Sequence, residues 1–278
     1  MKWNTKHPRQ LLAELGLAPR KGLGQTFLHD RNIARKIVLL AIEMGPPFLE
    51  IGPGLGALTD LLAEEGRETV AVEVDRGFAA FLRRRYEGSS VNVVEADFLA
   101  LPDGEFAKRL PKGGTVMGNL PYAVSSPILF RLLDLRETFP RAVLMLQKEV
   151  IERICAPQGG KAYGTLSVYL AALAEVREEF TVRRTCFTPS PEVDSAVISV
   201  RFLPGFSDEI VRSLQTVVRA AFAQRRKTLR NAPVPFLPGG TPEWCDLLAG
   251  AGVDPSTRAE TVSPEQYLRL ARLALPRL

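Results

Sequence analysis

The sequence predicts an α/β fold: a mostly parallel seven-stranded sheet with helices on both faces, followed by a small all-helical domain. Three observations predict it. From Phe48 onward, short β-rich runs alternate with helical stretches, the order that builds a parallel sheet. The early runs are apolar with little alternation, as strands buried on both faces are. The last two runs instead alternate apolar and polar residues, which marks an antiparallel pair closing a sheet edge.

Taken in order, F-L-E-I-G (48–52) is the first strand, and A-L-T-D-L-L-A-E-E-G (57–66) is a helix ended by Gly66. T-V-A-V-E-V (69–74) is the second strand, with a helix from Phe78 to Tyr86 behind it. V-N-V-V-E-A-D (91–97) and T-V-M-G-N-L (115–120) are the third and fourth strands. P-I-L-F-R-L-L (127–133) is helical, and R-A-V-L-M-L-Q (141–147) is the fifth strand. Helical stretches follow at Lys148–Cys155 and Thr165–Ala174. E-V-R-E-E-F-T-V (175–182) and S-A-V-I-S-V-R-F (195–202) form the antiparallel pair. P-G-F-S (204–207) reads as a boundary with Ser207 as an N-cap. Beyond it lie only helical patterns broken by Pro and Gly. The expected division is a basic N-terminal arm (1–30), an α/β domain (31–204) and a helical domain (205–278).

Composition narrows the class. With 278 residues and 46% hydrophobic content the chain can bury a sizeable core. No apolar run is long enough to span a bilayer, and the first residues lack a hydrophobic signal core, so a cytoplasmic protein is expected. Three scattered cysteines point to reduced thiols, and with two histidines no metal site is expected. The net charge of +5 is modest, but its basic residues cluster at Arg83–Arg85, Arg183–Arg184 and Arg225–Lys227 with Arg230. Lys2, Lys6, Arg9, Arg20 and Lys21 add a basic N-terminus, readable as an arm that orders on RNA.

Three strand ends carry a binding pattern. E-I-G-P-G-L-G-A-L-T follows the first strand, with Gly52, Gly54 and Gly56 spaced G-x-G-x-G and not G-x-G-x-x-G as a dinucleotide loop would be. Glycines there admit close backbone approach, and free amides at the helix start face the ligand. Glu73 ends the second strand about twenty residues on, where a carboxylate accepts from both ribose hydroxyls. Asp97 ends the third, where it can accept from an adenine amine. Together these favour S-adenosylmethionine over NAD.

The fourth strand end, G-N-L-P-Y (118–122), points to the chemistry. An exocyclic amine on a nucleobase is a poor nucleophile, and it needs acceptors for its two hydrogens before its lone pair can point at a methyl sulfonium. The Asn119 side-chain oxygen and the Leu120 carbonyl suit that task, Pro121 fixes the turn, and Tyr122 offers a stacking face. Catalysis of this kind is orientation and electrostatics, with no strong base required.

These segments, with R-K-G-L-G-Q-T-F-L (20–28), F-T-P-S-P-E-V-D-S-A-V (187–197) and F-A-Q-R-R-K-T-L-R-N (222–231), resemble the ribosomal RNA adenine N6-dimethyltransferase family nearly end to end. Within that family they resemble the bacterial KsgA branch, which acts on small-subunit RNA. The resemblance implies a Rossmann-like class I methyltransferase fold and S-adenosylmethionine as cofactor. It also implies dimethylation of two adjacent adenines in the 3′-terminal hairpin loop of 16S ribosomal RNA, within the immature small subunit, by a monomer. It assigns cofactor contacts to Thr26, Leu28, Gly52, Gly54, Glu73, Asp97 and Asn119. The family usually has Asn at position 26, so a threonine here puts a side-chain contact in doubt. Phe187 matches an aromatic thought to stack on the target base opposite Tyr122; the competing reading is a core phenylalanine beneath its loop.

Arg225, Arg226, Lys227 and Arg230, at the end of an apolar helix, are expected to track phosphates. Arg83–Arg85 read as a solvated face, and Lys148 and Glu149 as first-turn helix charges. P-Q-G-G-K-A-Y-G (157–164) reads equally as a connector or as a mobile loop closing on RNA through Lys161 and Tyr163. Trp3 and Trp244 read as packing residues. A large-subunit RNA methyltransferase, a non-catalytic RNA-binding assembly factor and an NAD-dependent enzyme are the alternatives; glycine spacing disfavours the last.

Overall fold

The computed structural model describes residues 6–277 apart from positions 21, 23 and 112, with positions 107 and 122 described by backbone alone. The chain divides into two compact units: residues up to Ile151 with Arg177–Arg201, and Glu152–Val176 with Phe202–Leu278.

The strands are β1 (Phe27–Leu28), β2 (Phe48–Ile51), β3 (Thr69–Glu73), β4 (Val91–Glu95), β5 (Thr115–Asn119), β6 (Arg141–Gln147), β7 (Ala174–Val182), β8 (Phe187–Thr188) and β9 (Ser195–Phe202). Seven of them form one sheet in the order β4-β3-β2-β5-β6-β9-β7. β2 pairs in parallel with both β3 and β5, and β6 pairs antiparallel with β9. The chain starts at the centre, winds outward to β4, then returns to the other side of β2. Between β2 and β5 the order reverses, and in open α/β sheets a ligand crevice forms at such a point. Gly118 permits that packing, because a Cβ there would sit 2.6 Å from the Ile51 carbonyl oxygen.

Helices α1 (Pro8–Leu15), α2 (Arg31–Met44), α3 (Thr59–Glu64), α4 (Arg76–Arg85), α5 (Asp103–Ala107) and α6 (Ser125–Asp134) accompany the strands, and α7 (Lys148–Ile154) follows β6. Asp30 and Asp75 cap α2 and α4, each side chain accepting from two first-turn amides. Buried Ile37, Val38, Phe48, Leu62, Met117 and Val197 belong to one core cluster. Sequence expectation and structure differ at the N-terminus. Lys2, Trp3 and Lys21 lie outside the described residues, but from Pro8 onward the chain is no free arm. Leu11 and Leu12 of α1 are buried in a cluster with Phe27, Leu55 and Phe78. Apolar spacing outweighs the basic composition of this segment.

The second unit contains α8 (Thr165–Leu173), α9 (Asp208–Phe222), α10 (Gly240–Gly250) and α11 (Pro264–Ala274). Val211, Leu214, Val217, Val218 and Ala221 make a buried stripe at helical spacing on α9, whose N-cap is Ser207. Trp244 is buried and its Nε1 donates to the Leu229 carbonyl (2.9 Å). The segment 157–164 is tied down. Tyr163 is buried and donates through its hydroxyl to Val262 O (2.9 Å), and Gly159 N donates to Glu260 O (2.8 Å). No helix of the described residues is long and apolar enough to cross a membrane.

Candidate active site

A cavity opens at the strand ends where β2 and β5 part, lined by the glycine loop, the ends of β3 and β4, and residues 24–28. Gly52, Gly54 and Gly56 have φ of +65°, +58° and +86°, conformations that residues with a Cβ rarely adopt. The loop therefore turns tightly enough to bring its main chain to the cavity wall. Phe27 packs over Gly54, where a Cβ would lie 3.1 Å from the ring.

Glu73 joins the loop to the next strand end. Its Oε2 accepts from Gly54 N (3.0 Å) and its Oε1 from Asp75 N (2.9 Å). Burial raises its pKa, while those two amides act in the opposite direction. A carboxylate oxygen accepts more than one bond, so each retains capacity for a sugar hydroxyl. Asp97 is exposed at the cavity edge, with Oδ1 accepting from Leu99 N (2.9 Å). Val74 and Phe98 supply apolar wall between these acids. Val74 is 52% exposed and so gives this wall an open apolar face.

Residues 24–28 close another side. The Thr26 carbonyl accepts from Asn119 Nδ2 (3.0 Å), so this position acts through its main chain, which any residue supplies. That contact assigns the Asn119 amide: nitrogen toward Thr26, oxygen left to accept. Leu28 lines the cavity from β1, which pairs antiparallel with β8. Pro121 (φ −59°, ψ 139°) also lines it and leads into a short 3-10 turn at Tyr122–Val124. The Leu120 side chain is buried and its N–H donates to Met145 O (3.1 Å), so only its carbonyl is a candidate for the site. The Tyr122 side chain lies outside the described residues.

Two expected site residues have protein partners of their own. Phe187 is 3% exposed and sits in the core cluster with Leu28, Val182 and Val197; it does not line the cavity. It pairs with Leu28 across the β1–β8 ladder, and both residues of β8 are buried. Arg225 is engaged within its own unit, donating to the carbonyls of Lys161 and Tyr163 and pairing with Glu260 (3.4 Å). Arg226, Lys227 and Arg230 are exposed in the turn and short helix after α9.

One residue that the sequence reading passed over is Glu50. It sits mid-strand in β2, 1% exposed, lines the cavity, and accepts from the Thr59 hydroxyl at 2.6 Å. Burial pushes it up to about 8, with Asp60 and Glu73 adding to the rise against the Thr59 bond. Its signal was present as the one charge within an otherwise apolar run, F-L-E-I. Val74 and Phe98 were also legible, each directly following a strand-end acid.

The donor set fits an adenosyl cofactor: loop amides, a ribose carboxylate, an amine-accepting carboxylate and apolar walls meet at one cavity. Residues 16–274 match the family model described as ribosomal RNA adenine dimethylase. A ribosomal RNA small subunit methyltransferase A from Chlorobium phaeobacteroides is 42% identical over 263 residues, spanning 94% of this chain and 95% of that protein. Among solved structures, a dimethyladenosine transferase from Plasmodium falciparum matches with a TM-score of 0.73 at 25% identity, covering 90% of this chain and 98% of its own. The 23S rRNA methyltransferase ErmE matches with a TM-score of 0.64 at 29% identity, covering 89% and 98% respectively.

Proposed function

This chain belongs to the ribosomal RNA adenine dimethylase family, and from that premise we propose that it dimethylates N6 of two adjacent adenines in the 3′-terminal hairpin loop of 16S ribosomal RNA. It acts as a monomer, in the cytoplasm, on the immature small subunit. The observation that carries the chemistry is the Asn119 amide, held by the Thr26 carbonyl at the mouth of a cavity suited to an adenosyl group.

S-adenosylmethionine supplies an activated methyl on a sulfonium sulfur. The chain itself binds, orients and excludes water. Glu73 and Asp97 accept from the ribose hydroxyls and the adenine amine, and the glycine-loop amides face the ligand. Asn119 Oδ1 and the Leu120 carbonyl accept the two hydrogens of the target amine, directing its lone pair along the transfer line. Tyr122 is the proposed stacking face. Each methyl gained on the nitrogen displaces one of its protons to solvent, so after the first transfer a single N–H remains and one acceptor suffices for the second. The target adenine leaves any stack before entering such a pocket.

Similarity favours small-subunit RNA, with 42% identity to the small-subunit relative against 29% to the large-subunit enzyme. Incubation with labelled S-adenosylmethionine and undermethylated small subunits should place dimethyladenosine at two adjacent positions near the 3′ end. Label confined to large-subunit RNA, or no label, overturns the proposal.

Arg226, Lys227 and Arg230 are the proposed phosphate track. Changing all three to Gln should weaken RNA binding and flatten its salt dependence by about two units of log–log slope, since each contact with a single strand contributes about 0.7. Binding titrations across salt concentrations measure this; an unaltered slope returns the three to the solvated surface.

A further inference from the structure

Beneath the glycine loop, the described residues gather three acids, Asp60, Glu73 and Glu50, with the Arg85 guanidinium bound to the first of them. Asp60 on α3 is held by Arg85, from Nε to Oδ1 (2.7 Å) and Nη2 to Oδ2 (2.8 Å), and by the Tyr86 hydroxyl (2.7 Å). Glu73 on β3 is held by two backbone amides. Glu50 on β2 has one hydroxyl donor, Thr59, and a place on the cavity wall. The charged and titratable groups facing it are Asp60, Glu73 and Tyr86, with Arg85 committed to Asp60. Its strand partners, Ala71 and Met117, carry no charge.

Resting on the cofactor site proposed above, we propose that Glu50 is a neutral carboxyl in the cofactor-free protein and releases its proton to solvent when the cationic methyl donor binds. The site thereby discriminates the sulfonium donor from its neutral thioether product, S-adenosylhomocysteine. A buried, unpaired carboxylate is costly, which keeps Glu50 protonated while the cavity holds no cation. A sulfonium in the cavity supplies the missing positive charge and the carboxylate forms. The thioether product shares the zwitterionic amino-acid end, whose two charges offset each other, but lacks the additional sulfonium charge, so Glu50 takes a proton back and product binding weakens relative to donor binding. The burial that pushes Glu50 to about 8 agrees with this direction.

Calorimetric titration of the full chain near pH 7, in two buffers of different ionisation enthalpy, counts the protons. S-adenosylmethionine should release about one, and S-adenosylhomocysteine clearly fewer. The donor-to-product affinity ratio should rise with pH, by up to about tenfold per unit, and level off above about pH 8. Glu50→Gln keeps the acceptor for Thr59 and should abolish both the difference in release and the pH dependence. Equal release for the two ligands, or unchanged behaviour in the variant, overturns the inference while leaving the cofactor site intact. Failure of either ligand to bind overturns the cofactor site itself. Should Glu50→Gln not fold, difference infrared spectra of the unaltered protein decide. A protonated-carboxyl band should vanish on adding the donor and persist with the product; its absence beforehand sinks the idea.

Discussion

Asn119→Ala should remove methyl transfer, lowering the rate by at least about 10²- to 10³-fold, the range seen when a single oriented transition-state partner is lost. The position makes this a clean test. Asn119 ends β5, and its backbone is held in register against Met145 of β6, so truncation leaves the strand in place. What goes is one side-chain hydrogen bond, Nδ2 to the Thr26 carbonyl, with a net stability cost of about 1 kcal/mol. The melting temperature should therefore move little while turnover at saturating cofactor and RNA collapses.

A second substitution separates the two jobs of that amide. Asn119→Asp keeps an acceptor oxygen but loses the N–H that Thr26 holds, so its oxygens are no longer assigned by the N-terminal segment. Its rate should fall between those of Ala and the unaltered chain. Single-turnover methyl transfer measures all three. Near-normal turnover in Asn119→Ala would reject the orienting role, and Asp equal to Ala would mean that Thr26 is the part that matters.

Much of this site was legible because strand ends announce themselves. The apolar run R-A-V-L-M-L-Q became β6 with the same limits, and S-A-V-I-S-V-R-F became β9. Glu73 and Asp97 stood out as acids terminating apolar runs. Pairings between distant short segments were not legible: β1 and β8 are two residues each, about 160 apart, and nothing local specifies their register. The burial of Phe187 comes from packing against Leu28, Val182 and Val197, contacts no local pattern announces. The fate of each basic residue was equally hidden. Arg225 differs from Arg226 and Lys227 in having the Lys161 and Tyr163 carbonyls and Glu260 within reach, a fact of tertiary packing. Nor did composition reveal that 152–176, expected within the α/β domain, joins the helical unit, where α8 packs against α9 and α11.

Arg85 carries the second large effect, and it too was hidden. In R-R-R (83–85) the three arginines look alike, yet Arg83 pairs at the surface with Glu95 while Arg85 reaches inward to Asp60. Asp60 is 2% exposed and takes both guanidinium bonds as well as the Tyr86 hydroxyl. Arg85→Ala strands a buried carboxylate, and removing one partner of such a pair costs about 3–5 kcal/mol. Thermal unfolding should show a marked drop, whereas exposed Arg84→Ala should lie within about 0.5 kcal/mol of the unaltered chain. Adding Asp60→Asn to Arg85→Ala removes the stranded charge while keeping an acceptor for Tyr86, so it should recover part of the loss. Cofactor affinity should fall along with stability in the single variant, because Tyr86 contacts the loop through the Gly56 carbonyl (3.5 Å) and Asp60 adjoins the Glu50–Thr59 pair. An Arg85→Ala protein that melts and binds normally would show Asp60 to be satisfied without the arginine. The glycine loop would then rest on its own turn geometry, not on the ion pair beneath it.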